Sequence, residues 1–237
     1  MYEYLVGCAI LSVPWFILFF LRKDLRKPMI WSGLFYMKFL TIVFILLSFL
    51  IWVFSISSSR MITPGYWEPK TIFDLGKITN GYAVEDALFM FIVGGVVAGI
   101  YEAIFHKKIS RFKVSAYHFR ALMFGSLGAA IVAIATNQNF IYSLIAFGFL
   151  GAIAIWVERP DLIPHSLWGG IVFTVMYFLL FSVFNSLFPD FILKVYHLEN
   201  LSGVMLINVP IEELLYALSF GLAWSPIYEY EHAIKAT

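Results

Sequence analysis

Two pairs of adjacent acids stand at the start of long apolar runs, Glu85-Asp86 and Glu212-Glu213. Charge in hydrocarbon is expensive, so acids in such places generally work, pair or face a cavity. A carboxyl group kept neutral near pH 7 is what a general acid requires. Phe89 and Tyr216 follow Glu85 and Glu212 by four residues, which sets each ring on its acid's own helix face. The negative face of an aromatic ring stabilises a cation. A simpler role competes with this one. Negative charge favours a helix N-terminus, and Asn80 and Asn208 nearby are of cap-forming type. Capping explains one pair well, but it poorly explains two pairs that recur together with their downstream neighbours.

The elements that must carry these residues are set by composition. Of 237 residues, 61% are hydrophobic and 13% charged, with a mean hydropathy of +0.85. Soluble domains are nearer half apolar and a quarter charged, so the expected surroundings are a lipid bilayer. The net charge of +1 offers no surface for nucleic acid. The lone Cys8 cannot form an internal disulfide. Seven runs are long enough to cross as helices: Tyr4–Leu21, Ile30–Phe54, Val84–Phe105, Phe119–Ala135, Phe140–Val157, Leu167–Phe188 and Met205–Tyr228. They are too continuous for barrel strands, which alternate with period two. The first run lacks a basic leader and a small-residue cleavage site, and is expected to stay as a span.

Several residues recur at fixed spacing. Asp24-Leu25, Trp31 and Gly33 return as Asp161-Leu162, Trp168 and Gly170, an offset of 137. Glu85-Asp86, Leu88, Phe89, Gly94 and Tyr101-Glu102 return as Glu212-Glu213, Leu215, Tyr216, Gly221 and Tyr228-Glu229, an offset of 127. The pattern predicts two copies of a three-helix unit, residues 1–118 and 140–237, joined by a linker helix over 119–139. The linker would return the chain to its starting side, so the copies would be parallel, with a site between them. The fold class expected is therefore an all-α integral membrane protein of 3 + 1 + 3 helices.

Other features carry less. Tyr101-Glu102 and Tyr228-Glu229 end seventeen residues after the first acids. That is about 25 Å of helix, so they read as anchors at the far interface. The five histidines form no ligand pair at helical spacing, which predicts no metal site and places them in loops or at the interface. No dinucleotide fingerprint or P-loop occurs, and the seventh run has no lysine for a retinal Schiff base.

At the acid pairs the chain resembles the membrane-embedded lycopene cyclases, the heterodimeric and fused carotenoid cyclases. The family's Pro-x-Glu-(Glu/Asp) motif stands here as Pro210-Ile211-Glu212-Glu213. The first-half version reads Ala83-Val84-Glu85-Asp86, without the proline. Met1-Tyr2-Glu3-Tyr4-Leu5, the stretch Trp15…Arg22-Lys23-Asp24-Leu25-Arg26, and Gly65-Tyr66-Trp67-Glu68-Pro69 are similar as well. The resemblance implies redox-neutral cyclisation of a linear polyene end, with no flavin or other cofactor required. It implies a lipophilic polyene substrate drawn from the bilayer, and leaves open a homo-oligomer or association with other carotenoid enzymes. Glu212 and Glu213 are then the first candidates for acid and base and Glu85 and Asp86 the second, with Phe89 and Tyr216 binding substrate as cation stabilisers. Spacing does not assign which acid gives the proton. A proton-coupled transporter and a non-catalytic carotenoid-binding subunit are the alternatives; the transporter should show mid-span polar residues, and spans three and seven show few.

Lysine and arginine set the orientation expected in a multi-pass cell-membrane protein: eleven fall on one side, among them Arg22, Lys23, Lys107, Lys108 and Lys113, against four on the other. The N-terminus should lie outside and the C-terminus in the cytoplasm. A reporter fused after Thr237 should be active only inside, and activity of an external reporter would overturn this orientation.

Overall fold

A computed structural model describes residues 2–54, 65–79, 81–107, 109–111, 120–136, 140–232 and 234–236. Met1, Asn80, Lys108, Lys113, Phe119 and Thr237, named above, lie outside the described residues, as does His118 among the five histidines. The described chain is mostly helical, as expected where apolar side chains leave the backbone to satisfy its own hydrogen bonds. The helices are α1 (Glu3–Leu21), α2 (Arg26–Phe54), α3 (Leu75–Ile78), α4 (Val84–Ile104), α5 (Arg120–Ala135), α6 (Phe140–Glu158), α7 (Ile163–Leu187), α8 (Phe191–Val195), α9 (Ile211–Trp224) and α10 (Ile227–His232). Short strands are β1 (Ile109–Arg111), β2 (Met205–Leu206), β3 (Val209–Pro210) and β4 (Ile234–Ala236). Five helices, α1, α2, α4, α6 and α7, are long and apolar enough to cross a bilayer.

The seventh run differs from the expectation of one span over Met205–Tyr228. It opens as a β2–β3 hairpin, whose turn residues Ile207 and Asn208 have φ of 47° and 61°. Positive φ at both central residues is the type I′ geometry that matches strand twist. Helix begins only at Ile211, and Asn208 sits in the hairpin turn instead of capping it. The helix breaks after Trp224, where Pro226 has no N–H for the Leu222 carbonyl. The Ser166 hydroxyl donates to that carbonyl instead, at 2.5 Å. Fourteen residues span about 21 Å. Neither α9 nor the 16-residue α5 alone matches the roughly 30 Å of bilayer hydrocarbon.

The repeated residues occupy matching places. A three-residue 3₁₀ turn follows both α1 and α6. In each turn an arginine clamps the aspartate two residues on: Arg22 on Asp24 at 3.0 and 2.8 Å, and Arg159 on Asp161 at 2.8 and 2.8 Å. α4 packs against α1 and α2, and α9 packs against α6 and α7. The helices cross at the repeated glycines. A Cβ built on Gly94 would lie 3.2 Å from the Gly33 Cα, and one built on Gly221 would lie 2.7 Å from the Gly170 Cα. α4 and α9 run in the same sense, since their acid-bearing N-termini share a cavity, while Glu102 in the last turn of α4 meets Glu229 of α10, the helix that follows α9.

Two short antiparallel pairings tie the halves together. β1 pairs with β4, aligning Ile109 with Ala236. Near the other end Trp67 bridges Tyr196, flanked by Glu68 N–H to Val195 O at 2.8 Å and His197 N–H to Tyr66 O at 3.0 Å. Trp31 meets the ring of His232 at 4.6 Å, and Trp168 meets Phe105 at 5.8 Å.

The close crossings give a stability test. Gly221→Ala and Gly94→Ala should each cost about 1–3 kcal/mol through overpacking. At Gly151 a Cβ would meet atoms only at 3.5 and 3.6 Å, so Gly151→Ala should be neutral or gain up to about 1 kcal/mol of helix propensity. Unfolding in mixed micelles should separate the three, and equal stabilities would show that these crossings do not hold the bundle.

Candidate active site between the halves

Each acid pair splits in the same way. The first acid turns toward the loop that precedes its helix, and the second faces the centre. Glu85 is buried, and its Oε1 accepts the Ile72 N–H at 2.7 Å. Glu212 is likewise buried, and its Oε1 accepts the Ser202 N–H at 2.6 Å and the Tyr142 hydroxyl at 3.0 Å. The other oxygen of each, Oε2, is buried without a hydrogen-bond partner.

Asp86 and Glu213 line one cavity. Asp86 closes its own helix start, because Oδ2 accepts the Ala83 N–H at 2.7 Å. Its Oδ1 accepts the Tyr4 hydroxyl from α1 at 2.8 Å. Capping and cavity-lining are thus combined in one residue. Glu213 is held by hydroxyls alone. Its Oε1 accepts from Tyr66 and, at 3.0 Å, from Tyr196. Its Oε2 accepts from Tyr177 of α7 at 2.8 Å. The Trp67–Tyr196 bridge positions the two loop tyrosines, so donors from both halves converge on one carboxylate.

The rest of the cavity is mostly hydrocarbon and aromatic. Phe89 and Tyr216 both line it, and the Tyr216 hydroxyl is 2.9 Å from that of Tyr36. Leu11, Phe181 and Phe184 contribute apolar wall, and Cys8 lies on it as a buried free thiol. Such a chamber can give and remove protons beside a hydrophobic chain while shielding positive charge with ring faces.

Of the residues expected from sequence, Asp86, Glu213, Phe89 and Tyr216 come together here, while Glu85 and Glu212 lie behind them. The tyrosines that hold the acids were not singled out as site residues, although Tyr4 and Tyr66 stand in two of the stretches that carried the family resemblance. Two expectations are corrected. Glu102 and Glu229 are not interfacial anchors, since both are 0% exposed. His165 is not in a loop: it lies in the first turn of α7, 3% exposed and stacked on Tyr101 at 4.2 Å.

Long apolar helices around a chamber with two converging acids fit an all-α membrane protein. The family model for lycopene cyclase matches residues 2–104 and 139–231. The chain therefore belongs to the lycopene cyclase family, whose work is the ring closure of carotenoid biosynthesis. The two matched stretches flank α5. No curated protein and no solved structure matches the chain.

The donor count at Glu213 makes a graded prediction. Tyr177 is the partner of Oε2, whereas Oε1 keeps Tyr66 if Tyr196 is lost. Tyr177→Phe should therefore cost about 1–3 kcal/mol by stranding a buried oxygen, and Tyr196→Phe should cost less. The reverse order in detergent unfolding would refute this assignment of donors.

Proposed function

We propose that the protein cyclises the ends of a linear carotenoid of the lycopene type, with Asp86 and Glu213 as the proton-transferring pair. The observation that carries this is their convergence in one aromatic cavity, in a chain of the lycopene cyclase family. One carboxyl protonates the terminal double bond and leaves a tertiary cation. The next double bond attacks it and closes a six-membered ring. A carboxylate then removes a proton and restores a double bond. The proton taken up equals the proton released, so this intramolecular lyase-type isomerisation needs no redox cofactor. Phe89 and Tyr216 present ring faces to the passing charge. Glu85 and Glu212 support the second acids from behind and remain candidates for relaying protons to them.

The architecture proposed around this site has seven crossings, with α5 and the broken α9–α10 segment added to the five long helices. Residues 1–118 and 140–237 form parallel copies about an axis along the membrane normal, and α5 returns the chain between them. The matched Arg–Asp clamps, the glycine crossings and the common sense of α4 and α9 support this reading. The pairing of Ile109 with Ala236 supports it too, since those residues are themselves 127 apart. The N-terminus is outside and the C-terminus in the cytoplasm.

Expression in cells that accumulate lycopene should yield pigment of unchanged mass with altered retention and spectrum. Asp86→Asn and Glu213→Gln should each lower turnover roughly a hundredfold or more at normal membrane levels. Glu85→Gln and Glu212→Gln, set back from the cavity, should lose less. Unchanged pigment from well-expressed wild type, or full activity in all four amides, would sink the proposal.

A further inference from the structure

A second cluster of buried acids lies at the other ends of the same helices. Glu102 is seventeen residues beyond Glu85, about 25 Å along α4. Glu229, its counterpart 127 residues on, comes from α10. Together with His165 of α7 they offer three ligand atoms that all lie within 4.8 Å of one another. Glu102 belongs to the first half of the chain, and His165 and Glu229 to the second.

Among the described residues none of the six side-chain polar atoms of the cluster, four carboxylate oxygens and two ring nitrogens, has a partner at full hydrogen-bond geometry, although the Ser225 backbone stands close to the His165 ring. Buried polar groups are nearly always satisfied, so six orphans in one place call for an occupant. Arg22 and Arg159 are near enough to attract Glu102 and Glu229, but neither donates a hydrogen bond to these carboxylates. Arg22 clamps Asp24 and donates to the Glu102 and Lys107 backbone carbonyls. Arg159 clamps Asp161. His165 Nδ1 is 3.4 Å from Glu102 Oε1 without hydrogen-bond geometry. That separation is close to the roughly 3.3 Å between two ligands sharing a tetrahedral ion at about 2.0–2.1 Å.

We propose that Glu102, His165 and Glu229 bind one divalent first-row metal ion, which clamps the two halves together at the end of the bundle opposite the acid cavity. Two carboxylates balance a dication, which makes the buried site neutral as a whole. One imidazole nitrogen and two carboxylate oxygens are donors that zinc and its first-row neighbours accept, with a coordination position left open. The ion also answers a difficulty of duplication: equivalent acids meet near the axis and would repel one another when ionised. His165 supplies the third ligand from one half only, because the position 137 residues earlier is Pro28.

The test uses the full chain, purified in detergent without a histidine tag and stripped with a chelator. Titration with Co²⁺ should bind about one equivalent per chain and produce visible d–d bands that Zn²⁺ displaces. Zn²⁺ should raise the Tm of the wild type. Glu102→Gln, Glu229→Gln and His165→Asn should each weaken binding at least tenfold and abolish the Tm shift, while Glu85→Gln should retain both. A folded wild type that takes up neither ion overturns the proposal, as does uptake unchanged in all three variants, which would mean an adventitious ion only. If one variant misfolds, the other two and the wild-type Tm shift decide. None of these readouts uses cyclase activity, so they stand or fall separately from the function proposed above.

Discussion

The four carboxylates at the starts of α4 and α9 need hydrogen-bond donors that an apolar helix cannot provide from its own side chains. Most departures from plain helix in this part of the chain supply them. The segment around α3 brings the Ile72 amide to Glu85, and the segment before the β2–β3 hairpin brings the Ser202 amide to Glu212. The Trp67–Tyr196 bridge sets two tyrosines on Glu213. An unpartnered carboxylate in such surroundings would cost several kcal/mol. The loops are therefore committed to the acids, and the cavity wall is fixed in turn by the residues those loops carry.

The duplication proposed above would account for solutions that appear twice without being identical. Gly33 with Gly94 and Gly170 with Gly221 make the same close crossing in each half. Small residues let helix backbones approach where lipid offers no hydrophobic drive to pack. Residues near the proposed axis meet their own counterparts, as Ile109 meets Ala236 and Glu102 approaches Glu229. Apolar residues meet there without penalty. Acids do not, and the axis is where a copied sequence creates a new electrostatic problem.

The sequence made α1, α4 and α6 legible to within a residue or two, because their apolar runs coincide with the helices. α2 and α7 begin four residues before their hydrophobic runs. Arg26-Lys27 and Pro164-His165 lower the hydropathy there, although a proline fits a helix's first turn. The α9 segment was overextended for the opposite reason. Met205, Leu206, Ile207 and Val209 read as span, but they form an exposed hairpin and its buried edge. The acids stood out by the cost of their position. Their tyrosine donors did not, because a tyrosine's spacing says nothing about which loop will fold back onto which helix end. Glu102 and Glu229 were misplaced because counting residues measures depth along a helix and not the direction a side chain faces.

The two acids facing the cavity come from equivalent positions but have unlike surroundings. Asp86 is short, tied to its own helix start through the Ala83 amide, and bonded to one tyrosine. Glu213 is one methylene longer, free of its helix start, and bonded only to hydroxyls. The difference traces to the chain before each helix: Ala83 leaves an amide for Asp86 to cap, whereas Pro210 has no N–H to offer Glu213. A reaction that both takes and gives a proton needs two groups that respond differently to the same solvent and the same cation. A strictly symmetric pair would be equally ready to give and to receive. One residue, three places before each acid, sets the two surroundings apart, while the crossing glycines recur in both halves.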